Sequence, residues 1–178
     1  MPSIIGLSLA VIFRPTETFR VVKAYRSEPI VFPALLLMFL LIVIRIIYIY
    51  LTHYPLATLM PINANFLLEI IKYYIPIFTW VIASFAVTAI LGGESQIKEI
   101  FMATTYALMP YILFILPLSL LSRVLSKTEL GFYNFLSTAI WIWVILLFFI
   151  SIKTLNEYSV IKTFFICILI LYMALFKN

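Results

Sequence analysis

Five apolar blocks, each close to the length needed to cross a bilayer, dominate this chain of 178 residues. They run over 30–51, 73–91, 100–121, 132–152 and 159–176. A helix rising about 1.5 Å per residue needs about 20 apolar residues to cross the roughly 30 Å hydrocarbon core of a membrane. With 65% hydrophobic and only 11% charged residues, a soluble domain of this size could not hide so much apolar surface. The expected fold is therefore an all-α integral membrane protein with five transmembrane helices. Residues 1–29 form an N-terminal interfacial segment and residues 30–178 the membrane domain. Ser3 to Phe13 is apolar but too short to span. It lacks the basic start and small-residue cleavage site of a signal peptide, so the first long block is expected to serve as the insertion signal.

The charge pattern addresses orientation. The net charge is +5, from twelve Lys and Arg against seven Glu, with no Asp. The cations are spread among the loops rather than gathered on one face, which suits the positive-inside rule and argues against nucleic-acid binding. The N-terminal segment and the loops on its side carry Arg14, Arg20, Lys23, Arg26, Lys98 and Lys153. The other side carries Lys72, Arg123, Lys127 and Lys177. The N-terminus is thus expected in the cytoplasm and the C-terminus outside. Cys167 is the single cysteine and lies in an apolar run, where it reads as a packing residue.

Three stretches invite a functional reading. From Pro15 onward, Arg20, Lys23 and Arg26 share one helical stripe, with Thr18, Val21, Val22 and Tyr25 roughly opposite. This describes an amphipathic helix in the headgroup layer that meets anionic lipid or a partner protein. Arg45 lies inside the first span. Because no acidic residue is expected deep in any span, the reading is a guanidinium snorkelling to the interface beside Tyr48 and Tyr50, against the alternative of a buried ion or substrate contact. Gly92 and Gly93 end the second span with a left-handed cap. A short polar link around Ile97 then leads to a third span interrupted by Pro110 and Pro117. Freed carbonyls there need partners, and Thr104, Thr105 and Tyr106 are the nearby hydroxyls. A kink is one reading. A transport site formed by Thr104, Tyr106, Pro110 and Pro117 with Arg45 is the other. Glu69 and Lys72 are placed in the preceding loop as an interfacial pair, and the lone histidine, His53, in the same loop is read as solvated. Trp141 and Trp143 fall mid-span, which suits a face turned into the bundle. Small residues at Thr79, Ala83 and Ala86, and at Ala103 and Ala107, suit close helix packing.

Catalytic signatures are absent. There is no HExxH, GxSxG, phosphate-binding or dinucleotide-binding glycine motif, and no pair of membrane-embedded carboxylates. No enzymatic activity, cofactor or metal is expected.

Four segments carry a resemblance: FRPTETFR at 13–20, GGESQIKEIF at 92–101, TYALMPYILFILP at 105–117 and LNEYSVIKTF at 155–164. With the five-span layout, they resemble the Yip family, the Ypt/Rab-interacting protein domain, from Phe13 to about Tyr172. The resemblance implies five helices, a cytoplasmic N-terminus and no known enzymatic activity. Eukaryotic members bind prenylated Rab-type small GTPases and act in vesicle traffic and membrane shaping. This chain looks more like the short archaeal and bacterial members, with almost no cytoplasmic domain ahead of the amphipathic segment. Two functions are open on this reading. One is a membrane adaptor binding lipids, another membrane protein or a small GTPase through Arg20, Lys23, Arg26 and the loop at Ile97. The other is a small permease or lipid transporter centred on the third span.

Overall fold

The computed structural model describes residues 4–24, 31–52 and 64–175. Arg26, Tyr25 and His53 lie outside them. The described chain forms α1 (Ile4–Phe13), α2 (Pro15–Ala24), α3 (Val31–Leu51), α4 (Phe66–Ile90), α5 (Ile97–Ala107), α6 (Met109–Leu121), α7 (Leu130–Asn156) and α8 (Val160–Leu175). Among the described residues four stretches are long and apolar enough to cross a membrane: Phe32–Leu51, Phe66–Ile90, Ile97–Leu121 and Lys127–Asn156. The fifth expected span appears as the shorter apolar α8, whose 16 residues cover about 24 Å. The fold is a helical membrane bundle, with four full-length helices where five were expected.

The third stretch is the hub. In it 72% of the most apolar segment is buried inside the protein, against 22–33% for the other three. α5 and α6 contact α3, α7 and α1, while α5 also meets α4 and α2. The outer helices turn Phe32, Phe39, Ile75, Ile82 and Phe135 outward, as surfaces solvated by lipid require. The small residues do what small residues do in lipid, where close approach replaces the hydrophobic drive between helices. Ala103 and Ala107 are fully buried on α5, and Ala83, Ser84 and Thr88 are buried on α4. α8 packs on α4 and α7 through a satellite cluster of Ala83, Val87, Ile152, Tyr158, Ile166 and Ile170.

The third span is interrupted by a single turn residue. It divides at Leu108, whose N–H reaches the carbonyls of Thr105 and Tyr106. Pro110 then falls in the first turn of α6, where a missing N–H removes nothing the helix would have used. Thr105 Oγ1 donates back to the Phe101 carbonyl at 2.9 Å, so it does not serve the carbonyls near the prolines.

Two expectations about the second span are corrected. α4 starts at Phe66 rather than residue 73, because Asn65 caps it and accepts the Leu68 N–H at 3.3 Å. Pro76 consequently sits inside the helix. Glu69 and Lys72 move from a loop onto the helix. The correction to Arg45 follows directly: it does not simply snorkel. Arg45 donates to Glu69 Oε2 at 2.9 Å, and Lys72 donates to Glu69 Oε1 at 2.8 Å. The side chains of Arg45 and Glu69 are only 16% and 8% exposed. The guanidinium lies 4.9 Å from the Tyr48 ring centre and 4.8 Å from that of Tyr73, which adds cation–π attraction. Tyr111 donates to the Tyr73 hydroxyl at 3.0 Å, and the hydroxyls of Tyr48 and Tyr133 are 3.1 Å apart. One polar cluster thus ties α3, α4, α6 and α7 at the end remote from α2. Trp141 leans on Tyr111 at 5.1 Å, yet Trp141 and Trp143 are 38% and 43% exposed. They lie towards the bundle edge rather than inside it.

Removing one member of a buried ion pair strands the other, at a cost of about 3 kcal/mol. Glu69→Ala is therefore expected to lower the thermal unfolding temperature in detergent markedly. The paired replacement Arg45→Met with Glu69→Leu should restore much of the loss. A single variant as stable as the parent would show that the pair does not hold the bundle.

Candidate functional site

At the opposite end, three segments distant in sequence meet. α2 is amphipathic as expected, but its apolar face is turned to protein rather than lipid. Phe19 and Val22 are fully buried and Thr18 nearly so, against α7 and α5. Arg20 stays exposed on the other side. Lys23 does not face lipid freely. Its Nζ donates to Glu157 Oε1 at 2.8 Å and to Glu94 Oε2 at 3.4 Å. One ammonium therefore joins α2 to the α4–α5 loop and to the α7–α8 loop.

Both loops are shaped by left-handed helix ends. Gly92 ends α4 at φ +73°, and Gly93 N–H returns to the Thr88 carbonyl at 2.7 Å. α7 ends in the same way at Glu157, with φ 53°, and Tyr158 N–H bonds the Lys153 carbonyl at 3.1 Å. A left-handed conformation suits glycine at no cost, but in a glutamate it stores strain on the order of 1 kcal/mol. Here that backbone delivers the Glu157 carboxylate to Lys23.

The two loops also interlock. Asn156 is buried; its Oδ1 accepts the Ser95 N–H at 3.2 Å, and its Nδ2 donates to the Ile152 carbonyl at 3.1 Å. Gly93 lies so close that a Cβ there would collide with Asn156 Oδ1 and stand 2.6 Å from the Tyr158 hydroxyl. Lys162 sits 4.0 Å over the Tyr158 ring and donates to the Leu91 carbonyl at 3.3 Å, capping α4. Ser159 accepts the Lys162 N–H at 3.3 Å, which makes it the start of α8 as its sequence position suggests. Gln96 N–H bonds the Glu99 carboxylate at 3.0 Å, fixing the first turn of α5. Ile97 projects from that turn and is 45% exposed.

Electrostatics follow the bonds. The hydrogen bond that Lys23 donates to Glu157 raises the Lys23 ammonium above its ordinary value and holds Glu157 below the ordinary carboxylate value. Burial pushes the Tyr158 hydroxyl up.

The alternative constellation in the third span does not assemble. Thr104 and Tyr106 are buried to 1% exposure and line neither the cavity at Arg45 nor the groove at the prolines. Pro110 and Pro117 line an apolar groove with α1 and α7, away from Arg45. The cavity beside Arg45 measures about 10 Å³, the size of about one water.

Of the residues singled out in sequence, Lys23, Arg20 and Ile97 thus lie at one end of the bundle and Arg45 within the other. The partners that sequence reasoning missed are Glu94, Asn156, Glu157 and Tyr158 here, and Glu69, Tyr73, Tyr111 and Tyr133 at the far end. The first group lies in GGESQIKEIF and LNEYSVIKTF, so the segments that carry the family resemblance held the signal. A Yip1 domain model matches residues 9–176, nearly the whole chain. The chain belongs to the Yip1 domain family. That family is one of non-enzymatic membrane proteins. No curated protein and no solved structure matches the chain. The Yip1-domain segments recognised in sequence are those that build the three-way junction at Lys23 and the break in the central helix.

The junction has a defined pH window. Glu157, with a depressed folded value, stabilises the junction above the ordinary 4.5 and loses that contribution as pH falls through its folded value. Lys23, with a raised value, contributes below the ordinary 10.5 and fails only above it. The distance between spin labels at Arg14 and Lys98 should therefore hold steady between these limits and broaden on acidification. Lys23→Gln should broaden it at every pH. An acid-insensitive distance identical in Lys23→Gln would show that α2 is held by its apolar face alone. Gly93→Ala should drive the Asn156 loop away and broaden the same distance, whereas Gly131→Ala, where a Cβ meets nothing within 4 Å, should not.

Proposed function

We propose that this Yip1-domain protein is a non-enzymatic membrane adaptor whose α2 end docks another membrane protein. The observation that carries this reading is the bifurcated bond of Lys23 to Glu94 and Glu157. It makes α2 and two loops one prearranged surface, and prearrangement lowers the entropy cost of binding. Exposed Ile97 and Arg20 flank the junction, giving an apolar contact and a charge. Arg26, which the sequence pattern sets on the same stripe, lies outside the described residues. A small GTPase is one occupant that the family resemblance implies.

In this reading the chain crosses the membrane five times, with α8 as the last crossing. α8 supports this by exposing Ile161 and Phe165 by 73% and 65%, as lipid contact demands. The α2 end faces the cytoplasm and the C-terminus lies outside. Arg14, Arg20, Lys23, Lys98, Lys153 and Lys162 gather at the α2 end, while Lys72, Arg123 and Lys127 lie at the other, a bias of the positive-inside kind.

A photo-crosslinker at Ile97, activated in native membranes, tests the reading. A recurrent protein adduct is expected, lost on reversal of Arg20, Lys23 and Arg26 to Glu but kept on reversal of Lys127. Only self-adducts and lipid adducts would overturn the adaptor.

A further inference from the structure

Beside the junction, α2 and the end of α7 enclose an open cleft of about 890 Å³ lined by Thr16, Arg20, Lys23, Lys153, Thr154 and Glu157. Three cations and three hydroxyls, the third from Tyr158, face one carboxylate. Glu157 is already engaged by Lys23. Arg20 acts on Glu157 electrostatically, but neither Arg20 nor Lys153 forms an ion pair among the described residues. Among the described residues, two positive charges on the walls of the cleft are therefore left without an ion pair.

Depth identifies what could answer them. α7 has 27 residues, about 40 Å, against a hydrocarbon core of about 30 Å. Centred on that core, the helix overhangs it by about 5 Å at each end, so its last turn, with Lys153 and Thr154, meets the headgroup boundary. About 15 to 25 Å further down the same helix, Trp143, Ile140 and Leu136 line the apolar groove of about 720 Å³ that Phe13 and Pro117 also border. A basic cleft at headgroup depth, with an apolar wall below it, matches a molecule with a phosphate at one end and hydrocarbon at the other.

We infer that the cleft binds the phosphate group of an anionic phospholipid, with Arg20 and Lys153 as its charged contacts and Thr16 and Thr154 as hydroxyl donors. Lys23 holds the walls in place through Glu157 rather than by meeting the phosphate. The inference deepens the reading of this end as a binding surface by assigning it a lipid class, and it adds Lys153, Thr16 and Thr154 to the face. A free phosphate ion offers the same head chemistry without the hydrocarbon.

The test is lipid exchange into the purified full chain, read by native mass spectrometry. Phosphatidylglycerol is titrated against phosphatidylcholine. The parent should retain phosphatidylglycerol preferentially. Arg20→Gln with Lys153→Gln, which leaves the Lys23 junction intact, should weaken retention roughly thirtyfold, the effect of two basic residues at an anionic surface. Arg20→Lys with Lys153→Arg should keep it. Lys98→Gln with Lys127→Gln removes the same charge elsewhere and should leave it unchanged. An equal loss in that control would mean diffuse attraction and would overturn the site. So would undiminished retention in the first pair, or displacement of the lipid by millimolar inorganic phosphate. Retention of phosphatidylglycerol together with no protein adduct at Ile97 would keep the lipid site and reject the adaptor. The reverse pair of results would do the opposite.

Discussion

A polar group inside hydrocarbon has no water to fall back on, and that constraint shapes this protein. Between lipid-facing helices there is little hydrophobic drive to associate, since lipid tails are as apolar as the side chains. Specific polar contacts and close small-residue packing must then decide which helices adjoin. The molecule concentrates its polar contacts at two levels. At one, Arg45 and Glu69 pair within a ring of tyrosines drawn from α3, α4, α6 and α7. At the other, Lys23, Glu94, Asn156 and Glu157 join α2 to two loops. Between them the packing is apolar, with Ala103 and Ala107 letting the central helix sit close to its neighbours.

The two levels differ in kind. The Arg45–Glu69 pair is enclosed, so each partner depends on the other and neither is free for a ligand. Its neighbourhood has room for about one water. The Lys23 junction is open: its carboxylates are 70% and 74% exposed, where solvent and salt screen them. Such a junction adds little stability and holds geometry instead. The left-handed Glu157 backbone has the same meaning. A glycine there would relieve the strain but would remove the carboxylate that fixes α2, and the chain keeps the glutamate.

Hydropathy made the helical membrane fold legible, because long apolar blocks leave one solvent to choose. The amphipathic stripe of α2, the glycine stop at Gly92 and the proline interruption at Pro110 were legible for the same reason: each rests on local backbone chemistry. What could not be read was pairing across the fold. The apolar block beginning at residue 73 leaves Glu69 in the preceding loop, whereas the Asn65 cap begins the helix two turns earlier. That single shift hid the partner of Arg45 and turned a buried ion pair into an apparent snorkel. Likewise, the stripe of Arg20 and Lys23 gave no hint that Lys23 would be engaged by two loops.

The break in the central helix connects the two levels. A continuous helix from Ile97 to Leu121 would carry Pro110 mid-helix, with a carbonyl left unmet in hydrocarbon. Ending α5 at Ala107 and restarting at Met109 places the proline in a first turn, where no N–H is missed. α6 brings Tyr111 to Tyr73 and packs on α3 and α7, while α5 keeps its N-terminal turn beneath the Gly93 loop. One proline thus lets a single crossing satisfy two differently built ends, and the motif TYALMPYILFILP is the sequence form of that compromise.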